Sequence, residues 1–378
     1  MGGKAESRAV RILCGKTVGA AALGFFMLGI GFTALTRALP APAAFGWFAL
    51  ASGGWIYFIF LLWTNLEHNR VEAGPVFDTF GPANLLTIGR AALMASFMGF
   101  LAIARPDGAP AWLPGSLYLA AALPDFVDGI LARRTGRVTR LGEILDLNVD
   151  SVGVFAAAAL AVRYGIVPWW YLPIGLARYL FVIGVRLRER FGLPVRELPP
   201  SIRRRGFAAL KMGLMFVVLF PVFGPPATHL AAAAFGAPFA VGFLWDWGLV
   251  TGRIRPGTGG PDSATVRAVT EYLPVLLRAA AVWLTWLVSG PLLSVPETPG
   301  VGLLQIVTGA LIGLGVATRT AAMLAAGLLG AGQNLVLLDS SGRLLVFVLV
   351  GLIFLGGGRC SLLPVEERLV ARRIGDPD

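Results

Sequence analysis

Apolar residues run along this chain in blocks about as long as a bilayer is thick, separated by short clusters of charge. A helix needs about 20 apolar residues to cross a membrane. On that measure the pattern predicts spans near 17–36, 43–65, 84–104, 110–133, 143–162, 167–187, 206–224, 228–250, 271–290, 300–317, 320–338 and 343–357. The blocks show neither the alternation of a half-buried strand nor the narrow stripe of a soluble amphipathic helix. The expected fold is therefore all-α, a polytopic integral membrane protein of about twelve spans. Residues 66–83 mix polar and apolar positions and are expected to lie along the membrane surface. Residues 251–270, rich in Gly, Pro and Thr, read as a linker. The resulting division is two spans in 1–70, a core at 71–250, the linker at 251–270, and four shorter spans in 271–378.

Composition sharpens this. The chain is 56% hydrophobic and 14% charged over 378 residues, with mean hydropathy +0.74. A soluble domain carries roughly 25% charged residues, so a water-facing exterior cannot be built from this sequence. His68 and His229 are the only histidines, and Cys14 and Cys360 the only cysteines. Histidine triads, zinc clusters and disulfide frameworks are thereby excluded. Any chemistry must rest on carboxylates, cations and hydroxyls.

The net charge of +11 reads mainly as a topology signal. With the N-terminus in the cytoplasm, all but five of the 32 Lys and Arg residues (Arg37, Arg105, Arg163, Arg178 and Arg343) fall on cytoplasmic loops. Arg90 and Arg278 are counted among those loop cations. Both termini are then inside, and the basic loops meet anionic lipid headgroups, with no nucleic-acid partner expected.

Against this background four acids stand out. Asp125 and Asp128 are spaced i, i+3, and Asp146 and Asp150 i, i+4, so each pair occupies one face of an apolar helix. Ionisable groups in such helices mark functional sites by default. The loop between the pairs is short enough to make the helices antiparallel neighbours. Four converging carboxylates repel one another unless a cation compensates. Mg²⁺ or Mn²⁺, hard ions that take oxygen ligands, fits that need, and two such ions suit phosphoryl chemistry. Gly129, Ala132 and Gly142 leave a stripe without bulk beside the acids, wide enough for a flat base or ribose. Arg133 can reach a phosphate.

The pattern Asp125-x2-Asp128-Gly129-x2-Ala132-Arg133-x8-Gly142-x3-Asp146-x3-Asp150 resembles the signature of the CDP-alcohol phosphotransferase family. Upstream, Asn84-Leu-Leu-Thr87-Ile-Gly-Arg90 resembles the opening of that family's first core helix. The resemblance covers about residues 70–250. It implies a six-helix membrane enzyme that moves a phosphatidyl group from a CDP-linked lipid, usually CDP-diacylglycerol, to an alcohol and releases CMP. By the same resemblance Asp125, Asp128 and Asp146 bind the metal pair. Asp150 is the base and also touches metal. Gly129, Ala132, Arg133 and Gly142 face the CMP moiety, with Asn84 and Thr87 beside them. A homodimer is also implied.

The acceptor leaves a fainter trace. Arg178 sits in an apolar helix, ahead of a strongly basic segment from Arg186 to Lys211, and is the candidate contact for a polar, phosphorylated acceptor. In 271–378, Gly313-Leu-Gly-Val-Ala-Thr-Arg319 and Gly356-Gly-Gly-Arg359-Cys-Ser361 resemble the DoxX-like membrane family. That unit reads as an accessory, non-catalytic partner of the core. A competing reading takes the intramembrane aspartates as an ion pathway in a transporter. Their clustering at one cytoplasmic mouth, with no acidic station in the outer half, favours the enzyme.

Overall fold

The computed structural model describes residues 2–72, 74–122, 139–198, 212–215, 217–221, 224–225, 227–254, 271–293, 299–331, 340–358 and 361–362. Among them every extended regular element is helical. Among the described residues, seven helices are long and apolar enough to cross a bilayer: Glu6–Leu35, Ala41–Thr64, Pro82–Ala102, Arg140–Arg163, Trp169–Arg190, Thr228–Val250 and Leu273–Gly290. These correspond to seven of the predicted spans. The stretches 110–133, 206–224 and 320–338 run outside the described residues. Gly300–Leu314 and Leu344–Ile353 are shorter apolar helices. The chain is an integral membrane protein.

Contacts divide it into two compact units: Met1–Leu176 with Met215–Pro221, and Ala177–Leu214 with Val222–Asp378. The first unit contains α1 (Gly2–Leu35), α2 (Ala41–Thr64), α3 (Pro82–Gly99), α4 (Leu113–Ala122) and α5 (Arg140–Arg163), and the start of α6 (Leu172–Arg190). At 1.5 Å per residue α1 is about 51 Å long, well beyond the ~30 Å hydrocarbon layer. Its basic start continues the helix past the apolar block, and Lys16 Nζ donates to the Asp78 carbonyl at 3.0 Å.

Apolar helices in lipid gain little by merely burying more hydrocarbon, so close backbone approach decides their packing. Glycines supply it here. Gly24 of α1 lies under the Trp55 ring of α2, whose Nε1 donates to the Ala21 carbonyl at 3.1 Å. Trp47 of α2 is seated between Gly31 of α1 and Gly99 of α3; a Cβ would come within 2.7 and 2.6 Å of its ring. On α5, Gly153 admits Met94 of α3, with 2.6 Å from a built Cβ to the methyl. Large apolar side chains such as Phe26, Phe45 and Phe60 face outward, as lipid contact requires.

The stretch expected along the membrane surface forms a 3-10 turn, Leu66–His68, followed by an irregular loop. The buried Asn69 organises it. Its Nδ2 donates to the carbonyls of Phe77 and Thr79 at 3.0 Å each, while Leu66 and Phe80 pack with Leu13, Leu62, Leu141 and Leu145. Asn69 thereby satisfies two of the loop's carbonyls.

The second unit holds the rest of α6, α7 (Ala227–Val250), α8 (Leu273–Leu293), α9 (Pro299–Leu314), α10 (Thr318–Ala331) and α11 (Ser340–Leu355). Gly184 of α6 lies beneath Trp247 of α7. Helices α8 to α11 enclose a core that includes Ala281, Ile312, Ala322, Ala325, Leu345 and Leu349. Gly309 and Gly313 seat Thr285 and Val282, the close approach that a missing side chain permits. Arg278, counted above as a loop cation, is buried on α8. It donates to the carbonyls of Ile312 (2.9 Å), Gly313 (2.6 Å) and Gly357 (3.2 Å). Carbonyls at a helix end lack intrahelical donors, so the guanidinium finishes α9 from inside the bundle.

Candidate active site

The site is built on the N-terminal halves of α3 and α5. Pro82 occupies the first turn of α3, where its missing N–H costs nothing. Asn84, Thr87 and Arg90 then recur every three residues and share the buried face of that helix. On α5 the N-cap is Thr139, whose hydroxyl accepts from Gly142 N at 3.2 Å. Capping by a threonine oxygen relieves one orphan amide of the first turn.

These two helix starts are tied together. Asn84 Nδ2 donates to Thr139 Oγ1 and to Asn69 Oδ1, both at 3.0 Å, and Thr139 Oγ1 donates to Asn84 Oδ1 at 3.2 Å. Gly142 faces the same amide: a Cβ there would lie 2.5 Å from Asn84 Oδ1. The structure thus brings two of the residues assigned to the CMP side, Asn84 and Gly142, into direct contact inside the unit. Thr87 is also buried, with its hydroxyl donating to the Ala83 carbonyl at 3.1 Å.

One turn further along α5 the carboxylates of Asp146 and Asp150 stand side by side, as the i, i+4 spacing predicts. Between them lies Arg90, 1% exposed. Its Nη1 pairs with Asp146 Oδ1, its Nη2 with Asp150 Oδ1 at 2.6 Å, and its Nε donates to the Ala121 carbonyl of α4 at 2.9 Å. Both aspartate side chains remain open on another side, 37% and 30% exposed. Arg90 is therefore no loop cation. Buried charge must be compensated, and these acids make burial of the guanidinium tolerable. Two further residues beside the site escaped the sequence reading. Asn69 gave no signal, being one polar residue among several between Glu67 and Glu72. Tyr118 of α4, fully buried against Phe97 (ring centroids 5.3 Å apart), has a hydroxyl with no hydrogen-bond partner among the described residues.

Asp125, Asp128, Gly129, Ala132 and Arg133 lie outside the described residues. Arg178 is exposed on α6, in the second unit. Among the described residues no cluster of three or more His, Cys, Asp or Glu forms. What is described suits a hard cation: two partly open carboxylates on one helix face, oxygen donors only, at the start of a well-packed helix.

The family model for CDP-alcohol phosphatidyltransferases matches residues 80–245. A CDP-diacylglycerol–glycerol-3-phosphate 3-phosphatidyltransferase of Bacillus subtilis is 32% identical over 118 residues, 29% of this chain and 61% of that protein. A putative cardiolipin synthase of Mycobacterium tuberculosis is 28% identical over 179 residues, 47% of this chain and 66% of that protein. A cardiolipin synthase (CMP-forming) of Streptomyces coelicolor is 29% identical over 181 residues, 46% of this chain and 80% of that protein. The chain thus spans a little under two thirds of the first two relatives. No solved structure matches it. The matched segment takes in both aspartate pairs, the helix that carries Arg90 and the capped start of α5, and it is over these residues, 80–245, that the chain is similar to the CDP-alcohol phosphatidyltransferase family.

Proposed function

We propose that this protein transfers a phosphatidyl group from a CDP-linked lipid, CDP-diacylglycerol, to the hydroxyl of a polar alcohol, releasing CMP in phospholipid synthesis. The observation that carries this reading is the aspartate pattern inside the matched segment, with Asp146 and Asp150 adjacent and open at the start of α5. Asp125, Asp128 and Asp146 would hold a pair of Mg²⁺ or Mn²⁺ ions, with Asp150 adjoining them. When bound, such ions polarise the donor's phosphates and stabilise the entering and leaving oxygens.

The chain's own residues do the rest. Arg133 contacts the donor diphosphate, and Gly129 and Ala132 leave room for the cytidine. Asp150 takes the proton of the acceptor hydroxyl. That oxygen bonds to the lipid-side phosphorus as the bridge to the CMP phosphate breaks, and CMP leaves. Arg178 is assigned to the acceptor. The distribution of basic residues supports an active site and both termini in the cytoplasm, where CMP and soluble alcohols are handled while the lipid tails stay in the bilayer. Residues 271–378 are assigned an accessory role, and the active form a homodimer.

The test is CMP release from radiolabelled CDP-diacylglycerol by the purified full chain with Mg²⁺ or Mn²⁺ and a panel of alcohols. Glycerol 3-phosphate, named for the Bacillus relative, belongs in that panel. One or more alcohols should release CMP. Binding of the donor without release by any alcohol would overturn the proposal.

A further inference from the structure

Among the described residues Arg90 makes three separate connections with one planar group. Its two terminal nitrogens reach different carboxylates of α5, and its Nε reaches the last turn of α4. In sequence, Ala121 stands four residues before Asp125, so the helix that Arg90 grips is the one leading into the first aspartate pair. The second pair is the one that it clamps. A guanidinium is always charged and presents its donors in a fixed fork. An ammonium at the same position could satisfy one carboxylate well, but not both acids and the carbonyl together. The burial of Arg90 from solvent keeps these links unscreened.

We propose that Arg90 is a positioning residue that pre-assembles the cation site, fixing the Asp146 and Asp150 side chains relative to the end of α4 before any metal binds. This rests on the assignment of Asp146 and Asp150 as metal ligands made above. Arg90 leaves part of each carboxylate exposed, so its clamp orients the acids without closing them off. It also supplies one positive charge to the two carboxylates that it orients. Two simple pictures give opposite signs. A competing counter-ion, once removed, lets the metal bind more tightly. A positioning fork, once removed, leaves the ligands unoriented and the metal bound more weakly.

The experiment is Mn²⁺ binding to the full chain in detergent micelles, followed by electron paramagnetic resonance of free Mn²⁺, for wild type and Arg90→Lys. Backbone hydrogen exchange across 140–150 is measured in parallel without metal. The Lys variant retains the charge and loses the fork. The expected result is a Kd about tenfold to a hundredfold higher, the range for losing a partner that orients a metal ligand, and faster metal-free exchange in Arg90→Lys. An unchanged or lower Kd would overturn the proposal; a lower melting temperature alone, with Kd and exchange unchanged, would leave Arg90 merely structural and overturn it too. Absence of Mn²⁺ binding to the wild type would instead overturn the metal-ligand assignment beneath it. Should Arg90→Lys not fold, the wild type still decides. Exchange across 140–150 that barely changes on adding Mn²⁺ supports pre-assembly, and a large gain in protection refutes it.

Discussion

Gly142→Ala is the substitution whose cost can be worked most directly from the structure. The new methyl would sit 2.5 Å from Asn84 Oδ1, about 1 Å inside ordinary contact. Asn84 cannot rotate away freely, because its amide is engaged with Asn69 and Thr139. Either α5 moves off α3 or these bonds stretch, and Thr139 is also the cap of α5. Overpacking of this kind costs about 1–3 kcal/mol. At ~2–4 °C per kcal/mol for a domain of this size, the melting temperature in detergent should fall by about 2–12 °C. The diagnostic is a double-mutant cycle with Asn84→Ala, which removes the clashing oxygen. Gly142→Ala should then cost little in the Asn84→Ala background, a coupling of about 1 kcal/mol or more. Strictly additive effects would refute the claim that Gly142 is a glycine in order to admit Asn84.

Two further outcomes follow from the same packing. Tyr118→Phe removes a buried hydroxyl that has no partner among the described residues, so stability should hold or rise by up to ~1 kcal/mol; a loss above ~2 kcal/mol in thermal unfolding would show that the hydroxyl is paired. Arg278→Met strips donors from three carbonyls of α9 and the 356–358 turn. It should destabilise by about 3 kcal/mol or more, and urea-dependent unfolding at wild-type concentrations would contradict the capping role.

Much of the architecture was legible because bilayer thickness leaves few choices for an apolar block, and seven helices appear where the hydropathy places them. The second aspartate pair was legible for a related reason: acids are so costly in such helices that their spacing alone indicates a shared face. The arginines were not. Arg90 and Arg278 read like any positive-inside cation, since sequence alone does not distinguish a guanidinium in a loop from one folded back onto carboxylates or carbonyls. The 3.0-residue recurrence of Asn84, Thr87 and Arg90 was the available clue, a polar ridge on an otherwise apolar helix. The inward packing of Leu66 and Phe80 was not legible, because nothing in the mixed stretch singled out Asn69 as the residue that satisfies the loop's backbone.

The central claim is that these aspartates carry out phosphatidyl transfer, and Asp146 tests it most directly. CMP release from CDP-diacylglycerol should be abolished in Asp146→Asn and in Asp128→Asn, with both variants folded and inserted as the wild type is. Turnover near the wild-type rate in both variants would contradict the account.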